Sequence, residues 1–383
     1  MAGRQAFGSV RKKRSGRYQA RYRDNRGRDH YRTFNTSAEA HRFLSMVRTD
    51  LARGEWLDPN LGRITVAEWA ELFMASKRDI RPGTRELYCY LLRCHILPTL
   101  GPCPLVSVTP EDVDEWLNTL RANPLLSSTT ENRAFRLLAQ MFKQAVRYRR
   151  IPASPCEHVA APKDATREML FLGPPQVAAL AAELGRAHLP YRTLVLLAAY
   201  GGLRWGECAG LAVRHVDPVR CTVRVERQLH RDGRIDAPKS AAGTRTVKLP
   251  RWLAEEVAGT IAARQPAADL CEAHTDLVLL TPEGQSLRHS SNFHGRFWRP
   301  AVTGSLPPEL HKLRFHDLRH TAVAIAIDAA AKAGEPLNAK ALQERMGHST
   351  IRLTLDRYGH LLEGHDDAMI EGMVNPFEQS AVG

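Results

Sequence analysis

Residues 151–168, IPASPCEHVAAPKDATRE, constrain this chain more than any other stretch. They are rich in Pro and Ala and show no apolar periodicity, so they read as a linker between domains. A break there divides 383 residues into pieces that one hydrophobic core can serve, and two or three domains are expected.

Upstream of the break, residues 64–160 read as all-helical. TVAEWAELFMASK is amphipathic and follows a cap-like Thr65. GTRELYCYLLRCHILPTL is bounded by Pro82 and Pro98. TPEDVDEWLNTLRA offers Thr109 as cap, Pro110 in the first turn and acidic residues at the end the helix dipole favours. SSTTENRAFRLLAQMFKQAVRYRR is a longer helix with a basic C-terminal end.

The net charge is +13, which favours a polyanionic partner without specifying a fold. Residues 1–34 hold eleven Lys/Arg against two Asp, a net +9. Tyr18, Tyr22, Tyr31 and Phe34 interleave with the arginines, and RSGR and DNRGR carry turn chemistry, so short antiparallel strands are expected. Arg11, Lys12, Lys13, Arg14, Arg17, Tyr18, Arg21 and Arg23 are the candidate nucleic-acid contacts. NTSAEAHRFLSMVRTDLARG then reads as a helix capped by Thr36 or Ser37 and ended by Gly54, with Ala40, Phe43, Leu44 and Val47 on one face. No apolar run approaches a membrane span, and the N-terminus lacks the apolar core of a signal peptide. Seven cysteines without a CxxC pair read as reduced thiols in a cytoplasm.

Downstream, helices are expected over GPPQVAALAAELGRA and PYRTLVLLAAYGG. CTVRVERQLHRDGRIDAPKSAAGTRTVKLP alternates as strands do, with turns at RDGR and KSAAG, and helices resume after it. The expected fold is therefore multi-domain and mainly α. A small β-sheet-plus-helix module covers 1–60, a helical domain 64–160, and a mixed, mostly helical domain with a small antiparallel sheet 165–383.

Four pieces of this last region place basic or imidazole side chains beside glycines or turns. In AAYGGLRWGECAGL, Arg204 lies three residues before Glu207, the spacing of an ordinary surface pair. In APKSAAGTRTV, Lys239 sits at a turn between strands. In RFHDLRHTAVAIAI, His316 and Arg319 share a helix face near its N-terminal end, where anions are favoured. His316 and His320 have the spacing of a helical zinc pair, but no Glu follows the first His as HExxH requires, and no third ligand stands at typical spacing. In GHSTIRLTLDRYGHL, His348 precedes Tyr358 by ten residues.

Together these residues supply donors and a nucleophile, with no carboxylate cluster for Mg²⁺. Guanidiniums grip phosphoryl oxygens bidentately as negative charge grows in the transition state. A tyrosine hydroxyl, with a pKa of about 10, needs neighbouring positive charge or a base to lose its proton. The departing 5′ oxygen needs a proton, which Lys239 can deliver.

GLRWGE, the lysine of PKSAAGTRTV, HDLRHT, MGHST and LDRYGH resemble the ordered signature of the tyrosine recombinases, the phage-integrase family. The match spans about 169–365, while the helical stretch is similar to that family's core-binding domain and the basic module to its arm-binding domain. The resemblance implies that Tyr358 forms a 3′-phosphotyrosyl link to DNA. Arg204 and Arg319 would hold the scissile phosphate. His316 would assist proton transfer from the tyrosine, and His348 would donate to a phosphate oxygen. Lys239 would act as general acid and Glu207 would orient the site. It implies no cofactor, neither ATP nor metal. It also implies a homo-tetramer exchanging strands between core and arm attachment sites through a Holliday junction, with DDAMIEGMVNPFEQ packing on a neighbouring subunit. An excisionase or other directionality factor and a host DNA-bending protein are further expected partners, on the bacterial nucleoid. The chain departs from the compact pattern at DAAAKAGEPLNAKALQER, which is expected to lengthen a helix or loop. A type IB topoisomerase uses similar chemistry as a monomer, and a DNA-binding protein without catalysis would share the basic surface. The basic module favours recombination over the first, and the full set of six residues argues against the second.

Overall fold

The computed structural model describes residues 7–163, 169–238, 240–289, 291–333, 338–350 and 352. The chain forms two compact units, Met1–Arg167 and Glu168–Gly383.

The first unit opens with an antiparallel sheet, β1 (Ser9–Lys12), β2 (Tyr18–Arg23) and β3 (Asp29–Phe34), in the order β1-β2-β3. Gly16 and Gly27 take positive φ at the two turns. Alternation along β2 buries Ala20 and Tyr22 and leaves Arg21 and Arg23 outside. The buried face meets Ala40, Leu44 and Val47 of α1 (Ser37–Arg53). Thr36 caps that helix in a reciprocal box with Glu39, and Gly54 ends it in the left-handed conformation. Beside the sheet, Asp24 accepts from His30 Nε2 at 3.1 Å and from Arg28 Nε at 3.1 Å, and Arg28 also pairs with Asp58 at 3.3 Å.

The helical part comprises α2 (Val66–Ser76), α3 (Pro82–Leu91), α4 (Leu97–Leu100), α5 (Pro110–Arg121) and α6 (Ser128–Arg147). Thr65 and Thr109 form capping boxes with Glu68 and Asp112. Trp69, Phe73, Trp116, Leu138, Met141 and Phe142 fill the core, each burial contributing roughly 1.5–3 kcal/mol. Pro98 does not stop α3 at a sharp boundary. A π turn at Leu92–Ile96 widens the coil, with Leu97 N–H bonded to Leu92 O, and the chain stays helical through a proline that has no N–H to give. The Pro-rich stretch read as linker is not loose at its start, since Ile151, Cys156 and Val159 are buried in this same core.

The second unit begins with the paired helices α7 (Pro174–Ala187) and α8 (Leu189–Gly201), then α9 (Trp205–Ala209). Strands β4 (Val216–Asp217) and β5 (Thr222–Val225) precede a hairpin of β6 (Gln228–Leu229) and β7 (Ile235–Asp236). β8 (Arg245–Lys248) returns to pair with β5, giving the sheet order β4-β5-β8. Helices α10 (Arg251–Ala262), α11 (Ser291–Phe293), α12 (Arg299–Ser305), α13 (Asp317–Lys332) and α14 (Ala339–Met346) follow among the described residues. A second π turn, His294–Trp298, again directly precedes a proline-bearing helix start, here at Pro300. α8 is buried on all sides from Thr193 to Ala199, so it forms the central post on which α7 and α13 pack. Among the described residues no helix is long and apolar enough to cross a membrane.

Candidate active site

The end of α8 sets the site. Gly202, at φ 68°, caps the helix and turns the chain, and Leu203 plugs the core. Arg204 follows as the N-cap of α9. Its backbone N–H reaches Glu207 Oε2 at 3.0 Å and its Nη1 reaches Oε1 at 2.6 Å. The pair is no surface ornament, because the Glu207 side chain is 2% exposed while that of Arg204 is 39% exposed. Arg204 thus stands at the surface on a buried carboxylate.

A second guanidinium, unforeseen from the sequence, faces the same carboxylate. Arg245 at the start of β8 donates Nη2 to Oε2 at 2.9 Å and Nη1 to Oε1 at 3.3 Å. Strand alternation held a signal for it, since Arg245 shares the inward face of buried Val247. Burial works to raise the Glu207 pKa, but the Arg245 hydrogen bonds and the charges of Arg245, Arg204 and Arg319 outweigh it and hold it at about 2. One carboxylate among three guanidiniums leaves the site cationic, which suits an anionic ligand.

Arg319 lies on the first turns of α13 and is buried. Its Nη1 donates to Gly202 O and its Nη2 to Met346 O, tying the end of α8 to the end of α14. His316 is the exposed N-cap residue of the same helix, one turn before Arg319, with its ring 5.4 Å from that of buried His320. Asp317 anchors this end by accepting from Arg314 N at 2.8 Å and Nη2 at 2.9 Å. α14 ends at Gly347, φ 60°, and His348 N–H bonds Gln343 O at 3.1 Å. A Cβ on Gly347 would come within 2.8 Å of Ala242 O and 3.0 Å of Arg245 Nη1. His348, Arg245 and Arg345 line a groove of about 620 Å³ between β8 and α14.

The structure therefore brings Arg204, Glu207, Arg245 and Arg319 together and links them through Gly202, Met346 and Gly347 to the end of α14 that carries His348. Lys239 and Tyr358, the sequence-derived acid and nucleophile, lie outside the described residues.

In the first unit, Arg11, Lys12, Lys13, Arg14, Arg17, Arg21 and Arg23 are exposed and Tyr18 is half-buried. Arg21 and Arg23 share Asp29, at 2.7 and 3.2 Å, and Arg21 lies over the exposed ring of Tyr31.

Known proteins match in three stretches of the chain. A family model described as "Phage integrase family" covers residues 171–365. "Phage integrase, N-terminal domain" covers 6–53, and "Phage integrase, N-terminal SAM-like domain" covers 65–121. The chain is 28% identical over 379 residues to a putative prophage phiRv2 integrase of Mycobacterium tuberculosis, covering 95% of this chain and 94% of that protein. It is 28% identical over 369 residues to an integrase of Mycobacterium phage D29, covering 92% and 93%. A solved structure of the Tn1549 transposon integrase in complex with a circular intermediate DNA superposes with TM-score 0.68 at 25% identity, covering 83% of this chain and 100% of that one. A lambda integrase tetramer bound to a Holliday junction shares the fold, with TM-score 0.55 at 17% identity over 91% of this chain and 97% of that one.

Proposed function

The chain belongs to the phage integrase family, and from that premise we propose that it is the recombinase of a phage or other integrative element, cutting and rejoining duplex DNA at that element's attachment sites. The observation that carries this is the cationic cluster around Glu207, where Arg204 reaches the surface from a buried carboxylate that Arg245 also holds and whose charge the buried Arg319 stabilises.

Arg204 meets the non-bridging oxygens of the scissile phosphate, with Arg319 as a buried cation behind it. A fixed positive field there stabilises charge that grows in the transition state, and each preorganised donor contributes on the order of 3 kcal/mol. The Tyr358 hydroxyl attacks phosphorus and the 5′ oxygen leaves. His316 assists removal of the phenolic proton, Lys239 protonates the leaving oxygen, and His348 donates to a phosphate oxygen. The phosphotyrosyl ester preserves the bond energy, so a 5′ hydroxyl from the partner duplex reverses the step and seals the new strand.

The three parts divide the work. Residues 1–60 take arm-type sites through the outer face of β2 and the β1 turn, residues 64–160 grip the core site, and residues 165–383 perform the chemistry. Four protomers assemble on two sites and exchange strands through a Holliday junction, on the bacterial nucleoid, with a directionality factor and a host DNA-bending protein. The test is a nicked duplex carrying the core sequence from the element's own end, which traps a covalent complex when the short 5′ strand diffuses away. Trapping that persists in excess EDTA supports the reading, and a requirement for a divalent ion contradicts it.

A further inference from the structure

The roles above leave Arg245 unassigned. Its side chain is 6% exposed, so it does not reach a duplex. Its donors reach three separate segments of the chain. Two serve Glu207, Nε donates to Arg345 O at 2.7 Å, and Nη1 also donates to Gly243 O at 3.0 Å. Arg345 stands three residues before His348, and Gly243 four residues after Lys239.

The Glu207 carboxylate is saturated by this arrangement. Oε1 accepts from Arg204 Nη1 and Arg245 Nη1, and Oε2 accepts from Arg204 N and Arg245 Nη2. Four bonds on four acceptor sites leave the carboxylate no rotation that does not break one. A carboxylate so fixed also fixes the guanidinium that leans on it.

We propose that Arg245 is a positioning residue for strand cleavage: it locks Glu207 in the one orientation that aims Arg204 at the scissile phosphate, and holds the end of α14 that carries His348. The role rests on the reading of Arg204 given under Proposed function. The planar fork matters, because a lysine keeps the charge but cannot serve both Glu207 oxygens and the Arg345 carbonyl at once.

The experiment compares Arg245→Lys with the parent full-length protein on the nicked core duplex. Melting temperature, duplex affinity and the single-turnover rate of covalent complex formation are measured. Retained folding, affinity within about threefold and cleavage about 100-fold slower are expected, as for the loss of geometry at a preorganised donor. A second duplex carries a methylphosphonate at the scissile position, which removes the charge Arg204 must meet. On it the gap between parent and Arg245→Lys is expected to shrink to less than about tenfold. Parent-like cleavage by Arg245→Lys, or an equal gap on both duplexes, overturns the proposal. Should the lysine variant fold poorly, Glu207→Gln alone decides: slower cleavage on the charged duplex with a gap that shrinks on the methylphosphonate supports a path through the carboxylate, and parent-like cleavage or an equal gap on both duplexes overturns it. Tyr358→Phe run alongside separates the two claims. If that protein still cleaves, the nucleophile reading fails while the Arg245 comparison keeps its own outcome.

Discussion

Both oxygens of the buried Glu207 carboxylate hold Arg204, Oε2 through its backbone N–H at 3.0 Å and Oε1 through its Nη1 at 2.6 Å. The same four-residue turn thus caps a helix and orients a surface guanidinium.

Glu207→Gln removes the one negative charge among three guanidiniums. Folding holds this carboxylate at about 2, below the usual 4.5, so its contribution to stability is complete above about pH 4.5 and is lost as pH falls toward 2. That contribution is on the order of 3 kcal/mol. Urea midpoints measured from pH 7 to pH 3 should fall for the parent. They should start lower and fall less for Glu207→Gln, and parallel curves would show that the carboxylate is not held as described.

Arg204→Lys should separate binding from chemistry. The Arg204 side chain is part-exposed, so folding should change by no more than about 1 kcal/mol. Lysine loses the bidentate grip, and cleavage of the nicked duplex should drop about 100- to 1000-fold at unchanged duplex affinity. A loss confined to affinity would place Arg204 in DNA docking and away from the phosphate.

Gly347 and Gly202 both take positive φ, but they face different neighbours. A Cβ at Gly347 meets the Ala242 carbonyl at 2.8 Å, whereas at Gly202 it meets the flexible Met346 Sδ at 2.7 Å. Gly347→Ala should therefore lower the melting temperature more than Gly202→Ala, each costing at least about 1 kcal/mol from backbone strain. The reverse order in a thermal scan would mean that the α14 end yields more easily than that packing implies.

Arg21 and Arg23 share one carboxylate, Asp29, on the outer face of β2. Replacing both arginines by alanine should flatten the salt dependence of arm-site binding by up to about 0.9 per lost phosphate contact, summed over two. Asp29→Asn should tighten binding and steepen that dependence. Titrations at several salt concentrations read both, and unchanged slopes would remove this face from the interface.

Much of this could be read in the residues themselves. Thr36, Thr65 and Thr109 announce their helices because capping is local chemistry, decided within four residues. Arg204, His316, Arg319 and His348 stand out by order and neighbours. The Arg204–Glu207 spacing, by contrast, says nothing of burial, and it reads as a surface pair until the core beneath it is known. Arg245 escapes notice for a related reason: alternation along β8 turns it inward with Val247, but its partners, Glu207 and Arg345, are far away in the chain. Pro98 reads as a helix boundary because a π turn leaves no local signature, and the buried side chains of 151–159 are set by packing that no periodicity marks.

The most direct measurement is covalent trapping of Tyr358→Phe on the nicked core duplex, beside the parent. The parent should accumulate a protease-sensitive protein–DNA adduct. The phenylalanine variant should bind the duplex with parent affinity and give none, and adduct formation by that variant would show that another residue attacks the phosphate.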